Sequence, residues 1–359
     1  MSTPAVLARW GQAPLRRWNA FWFTPQPAAS LLAVRVVFGC TVLLWGLALA
    51  VDLDSFFLAG RVLPEPSYGP NRIGLLRFWS GDGAVLAVYT ALMAAAVAVV
   101  LGKGLRLALP VVWFGITSLT LAASAVDNAG DQLLRIWAAY LAVFALLTPS
   151  RWWAGSLRRG TDRAAPAPTW ALRMMQLQLS AVYIATIIDK LPGDTWRDGT
   201  AAYYALELDD FARFPVPDAV AHSLVLSNIF TWTTIGLELS LPFLLWTRRT
   251  RRFAIVAGVG LHVGFDYTMR LGFFLPAMVL GYLAFVTPGE LEAVAARLER
   301  WSGRLRAEPR VEAAAHGVGG DSSGTAAPEH EAAAQQADPD EQRQGEAPDL
   351  FTAAGEQPA

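Results

Sequence analysis

A chain of 359 residues that is 54% hydrophobic and only 16% charged is too apolar for a soluble globular domain, in which about a quarter of the residues carry charge. Fourteen Trp and eighteen Phe suit a protein with many anchors at a lipid–water interface, while the formal net charge of −1 is informative only once the charges are placed along the chain. The single cysteine, Cys40, excludes an internal disulfide and a cysteine-built zinc cage, and no basic face interleaved with aromatics points to nucleic acid.

Residues 1–24 combine Arg9, Arg16 and Arg17 with Trp10, Trp18, Phe21 and Trp22, and no cleavage motif follows. This reads as an interfacial amphipathic segment rather than a signal peptide. Stretches of about 20 mostly apolar residues, enough to cross a bilayer, follow at 30–51, 83–102, 105–124, 131–148, 170–191, 223–246, 252–270 and 271–288. The expected fold class is therefore all-α: a polytopic membrane helix bundle of about eight spans, with amphipathic interfacial helices at both ends. Residues 289–307 repeat Leu291, Val294, Leu298, Trp301 and Leu305 at helical spacing among arginines, which predicts the second interfacial helix. From 308 to 359 the chain is acidic and poor in large apolar residues, the composition of a disordered tail.

Basic residues set the expected orientation. Arg9, Arg16 and Arg17, then Lys103 and Arg106, then Arg151, Arg158, Arg159 and Arg163, then Arg248 to Arg252 fall on alternate loops. The opposite loops hold most of the acids, including Asp127, Asp131, Asp194 and Asp198. The positive-inside rule then places both termini in the cytoplasm of a multi-pass protein of the cell membrane.

Ionisable groups at membrane depth are the functional candidates, because each needs a partner, a wet cavity or a task. Arg35 in the first span and Glu238 in the sixth are expected to meet as a structural ion pair. Asp127, Asp131 and Arg135 share a helical face, as do His262, Asp266 and Arg270. The fifth span ends in Asp189-Lys190, seven residues beyond Tyr183, before a loop carrying Trp196, Tyr203 and Tyr204. Read from the residues alone, Lys190 either snorkels to the interface and pairs with a nearby acid, or serves in a cavity that the aromatic loop covers. No metal site is expected, since His262 and Asp266 find no obvious third ligand.

The motifs Asp189-Lys190-Leu191 with Trp196 and Gly199, Tyr203-Tyr204 with Leu206, Leu237 to Pro242, and Leu261-His262 followed by Leu271-Gly272 occur in this order over roughly residues 25–288. In this the chain resembles the HTTM (horizontally transferred transmembrane) family, whose domain also forms the membrane half of vitamin K-dependent gamma-glutamyl carboxylases. The resemblance implies a helical site open to the extracytoplasmic side. It further implies Lys190 as a base acting on a reduced, vitamin K-like quinone, His262 as a functional histidine, and a peptide glutamate as a second substrate. On this reading Asp266 and Asp131 join Trp196, Tyr203 and Tyr204 in substrate binding. The alternative within the family is a non-catalytic membrane accessory protein that binds or matures a secreted peptide or a lipid.

Overall fold

The computed structural model describes residues 3–63, 74–149, 167–297 and 299–300, with side chains from residue 13 onward. The expected tail at 308–359, and the part of the second interfacial helix beyond residue 300, lie outside the described residues.

Helices occupy all eight expected spans: α2 (Ala29–Val51), α4 (Asp82–Leu101), α5 (Leu105–Ala122), α6 (Ala129–Leu147), α7 (Trp170–Lys190), α11 (Leu224–Leu244), α12 (Arg251–Thr268) and α13 (Phe274–Leu283). α1 (Thr3–Phe23) precedes them, and shorter helices lie between them: α3 (Leu53–Phe57), α8 (Asp194–Arg197), α9 (Ala201–Leu206) and α10 (Asp218–Ala221). Isolated two-residue bridges apart, no strand forms among the described residues, so the all-α expectation holds. Six of the helices are long and apolar enough to cross a membrane, or seven if α13 and a following helix, α14 (Pro288–Arg297), are counted as one bent span. The difference from eight has a plain cause. α12 carries Arg251, Arg252 and Asp266 within 18 residues, and α13 has only 10 residues, about 15 Å of helix.

Local sequence explains the helix ends. Gly102 and Gly104 both sit at positive φ, so α4 and α5 reverse direction across Lys103 without strain. The Asn128 side chain accepts from the backbone N–H groups of Gly130 and Asp131 and starts α6. At the start of α14 the Thr287 N–H and hydroxyl both donate to the Glu290 carboxylate, with Pro288 in the first turn. The chain bends there by 112°, so α14 leaves the axis of α13.

Small residues bring the helices together, as expected where lipid supplies no hydrophobic drive between them. A Cβ on Gly39 would lie 2.7 Å from Val100, one on Gly46 would lie 2.3 Å from Met93, and one on Gly115 would lie 2.9 Å from Leu92. α2, α4, α5 and α6 thus form one closely packed group. α13 leans on α2, α6 and α7 and links this group to α7, α11 and α12. Trp137, wholly buried, donates to the Ala277 carbonyl across the α6–α13 contact at 2.9 Å.

The helices alternate in direction. At one end, the base, Ser30 at the start of α2 donates to the Val286 carbonyl, and Arg251 and Arg252 at the start of α12 pair with Glu290. At the other end, the rim, Trp45 meets Asp131 at the start of α6, and the Arg270 N–H reaches the Phe211 carbonyl.

A candidate site at the end of helix α7

α7 stops at Lys190, where Pro192 and Gly193 turn the chain away. α11 runs antiparallel beside it and continues toward the rim: Trp246 bonds Ser180, Glu238 meets Thr186 and Lys190, and Ser227 and Thr231 lie beyond the end of α7. The Lys190 ammonium therefore lies alongside the interior of α11, well short of its rim-side end. Both Glu238 oxygens receive Nζ, at 2.5 and 2.6 Å, and the ring of Trp196 lies 4.6 Å from the ammonium. Glu238 is almost fully buried and the Lys190 side chain only 18% exposed, so the pair sits in a medium that strengthens its attraction.

This corrects the expected Arg35–Glu238 pair. Arg35 is buried on α2, which packs mainly against α4 and α13, whereas Glu238 sits on α11, packed on α7, α9 and α12.

The segment after Lys190 folds back over the pair. Gly199, at φ +82°, is required there twice over, because an added Cβ would also lie 2.2 Å from the Asn228 side-chain oxygen. α9 then docks on α11, where the Ala202 N–H donates to Thr231 and the Tyr203 N–H to Ser227. Backbone donors at the start of a short helix would be costly at membrane depth, and these hydroxyls satisfy them. Ser227, Thr231, Thr234 and Glu238 recur at spacings of four, three and four on α11 and are all buried, a polar stripe that is legible in the sequence.

Between α9, α10, α11 and α12 lies a cavity of about 610 Å³. Its walls are apolar apart from threonines, and Lys190 is the one charged side chain among the described residues that line it. Trp196 lines it as well. Tyr203 and Tyr204 do not: the phase of α9 turns Ala201, Ala202, Ala205 and Leu206 inward, while Tyr203 packs against Tyr204 and His222. Asp266 also faces elsewhere, binding Arg213 at 3.0 Å.

Toward the base lies a second polar tier. Tyr183 shares its hydroxyl with Nε2 of His262 at 2.8 Å and with the hydroxyl of Tyr282. All three side chains are buried, and Nδ1 of His262 has no partner among the described atoms. Gly258 makes room for the tier, since a Cβ there would lie 1.8 Å from the Tyr282 oxygen. Tyr282 was not a sequence candidate; its only signal was a tyrosine in an otherwise apolar last span.

Asp131 is not part of this site. It lies in a separate cavity of about 280 Å³ at the rim, where Trp45 and Asn128 each donate to it at 2.8 Å. The Lys190–Glu238 pair and the apolar cavity thus adjoin through Lys190, with the polar tier on the base side of Lys190, and Asp131 serves the start of α6. Among the described residues, no group of three or more His, Cys, Asp or Glu is arranged to hold a metal ion.

A bundle of apolar helices around a buried ion pair and an adjoining apolar cavity defines an integral membrane protein with a ligand-sized site. The sequence model of the HTTM domain matches residues 23–289, and the chain belongs to the HTTM family. No curated protein and no solved structure matches it.

Proposed function

We propose that this HTTM protein is a carboxylase-like membrane enzyme that binds a lipid-soluble reduced quinone in the 610 Å³ cavity and uses Lys190 as its base. The observation that carries the reading is the placement of one ionisable side chain, held by a buried carboxylate, against an otherwise apolar cavity. The volume falls within the roughly 300–1,000 Å³ usual for drug-sized ligands, and the walls suit a ring system with an apolar chain. A reduced quinone, when bound, would supply an acidic ring hydroxyl.

The residues supply the rest. One proton moved along the Nζ–Oε contact converts the ammonium–carboxylate pair into a neutral amine beside a carboxylic acid. The amine can then accept a hydroxyl proton, while Glu238 keeps the proton it received. Trp196 covers Nζ and limits its access to water. His262 supports the site from beneath, through Tyr183 on the same helix as Lys190. In this reading the rim faces the extracytoplasmic side and the termini the cytoplasm, as the basic loops predict. A peptide glutamate would be the second substrate of a carboxylase-like reaction.

The test is turnover of a reduced naphthoquinone by the purified protein in lipid nanodiscs, with Lys190→Ala compared against wild type. Loss of turnover in a variant that remains folded supports the base. Unchanged turnover removes Lys190 from the chemistry. A wild-type protein that converts nothing alone yet co-purifies with a secreted peptide, with or without Lys190, favours the accessory role instead.

A further inference from the structure

The cavity is covered on its rim side and lies against the exposed apolar faces of α11 and α12. On the rim side, residues 207–217 are fastened to the end of α12 by several independent contacts. Arg213 binds Asp266, its N–H bonds the Thr268 carbonyl at 3.2 Å, and the Arg270 N–H bonds the Phe211 carbonyl at 2.7 Å. Phe214 packs on Tyr267 with ring centroids 5.2 Å apart. α9 is held separately by Ser227 and Thr231.

Among the described residues, no hydrogen bond or ion pair comparable to these joins α11 to α12. The two helices meet near their base ends, where residues 245–250 connect them, and the cavity lies between their rim-side halves. Gly260 and Gly264, one turn apart on α12, both line it, and a Cβ on either would meet nothing within 4 Å. Across the gap, Phe230 and Thr233 of α11 line the same cavity and are exposed on the outside of the bundle. The flanking outer surface is apolar, with Val256, Val263, Ile229 and Trp232 all exposed at the depth of spanning helices. A gap walled by glycine and bordered by such residues faces acyl chains rather than water.

We infer that the site is entered sideways from the bilayer, between α11 and α12, by an amphiphile whose polar head reaches Lys190 while its apolar chain stays in the Gly260–Gly264 notch. This rests on the cavity being the binding site, and it sharpens that reading: the lipid-soluble ligand arrives by way of the bilayer. Lys190 at the inner wall matches the head, and the apolar notch matches the chain.

Spin labels test the opening without reference to activity. In a Cys40→Ser background in nanodiscs, a label on Gly264→Cys is compared with Val256→Cys on the lipid face and Asp210→Cys on the rim. Collisional relaxation by oxygen and by an aqueous nickel chelate reads the surroundings. The expected result is strong oxygen and weak nickel relaxation at 264, resembling 256. Strong nickel relaxation, resembling 210, or protection from both reagents, overturns the portal. A second arm uses Gly264→Trp with a prenylated naphthoquinone and its tailless parent. Each methylene excluded from the notch costs about fourfold in affinity, so loss of two or more weakens the prenylated compound by at least about tenfold while sparing the parent. Equal binding of the prenylated compound to Gly264→Trp and wild type refutes the portal and leaves the quinone reading intact. A lipid-open label at 264 with no binding of either quinone refutes the quinone and leaves the portal standing.

Discussion

Replacing Glu238 by Leu removes the only carboxylate that an ion pair in the structure gives to Lys190 and leaves an ammonium in a largely apolar place. Breaking a buried pair by deleting one partner costs about 3–5 kcal/mol, mostly the penalty of the charge left behind. Lys190 keeps 18% exposure and the face of Trp196, so the cost falls at or just below the bottom of that range, about 2–3 kcal/mol. Removing both charges together, as Lys190→Met with Glu238→Leu, leaves no orphan and costs little. At roughly 2 °C per kcal/mol for a chain of this size, Glu238→Leu lowers the melting temperature by about 4–6 °C, and the double variant recovers most of that. Thermal unfolding of detergent-solubilised protein, followed by circular dichroism, gives all four corners of the cycle. A double variant no more stable than Glu238→Leu, or a Glu238→Leu protein within about 1 °C of wild type, refutes the claim that the two groups hold each other in a dry site.

Two further predictions follow from the loop and the base. Gly199→Ala forces a side chain into a left-handed backbone and against Asn228, so it destabilises the α8–α9 segment by about 1–3 kcal/mol, read as faster proteolysis of residues 191–206. Adding Asn228→Ala relieves the clash but not the backbone strain, so recovery is partial; full recovery contradicts the role of φ. Glu290, outside the spanning segments at the base, is subject to burial that would raise its carboxyl, but this is outweighed by bonds from Thr287 and Arg252 and by the Arg251 charge, which bring it down to about 2. A group with a lowered folded value stabilises above its ordinary 4.5, and that contribution is lost as pH falls from there toward 2. The contact between α12 and α14 therefore loosens over that interval, seen as a growing distance between labels on the two helices. Glu290→Gln flattens this response, and an unchanged pH profile in that variant excludes Glu290 as its source.

Much of the fold was legible because its determinants are local. Runs of apolar residues gave the eight helices, and Asn128, Gly102, Gly104 and Pro192 mark where they begin or end. The break after Lys190 stood out for the same reason: charge followed by Pro-Gly is costly in a spanning helix wherever that helix packs. Span count was less secure, because α12 mixes three charges into an apolar pattern and α13 is short; both depend on neighbours rather than on hydropathy.

The site itself divides along the same line. Spacing placed His262 and Asp266 on one helical face, yet the fold gives His262 to Tyr183 and Asp266 to Arg213. Spacing likewise grouped Tyr203 with Tyr204, but the docking of α9 turns its alanines to the cavity instead.

By itself, then, the sequence determined a multi-helix membrane protein, the alternation of its helices, and a lysine that ends an apolar span at a cost requiring explanation. Only the tertiary structure decided that Lys190 is answered by Glu238, 48 residues away, that Asp131 belongs to another cavity, and that Gly260 and Gly264 on α12 leave open space beside the site cavity. The physical reason is one of range. Hydropathy, capping and turn chemistry act within a few residues, whereas partners across a bundle are set by the rotation and axial offset of whole helices. Those depend on packing along their full length, and no short stretch of sequence contains it.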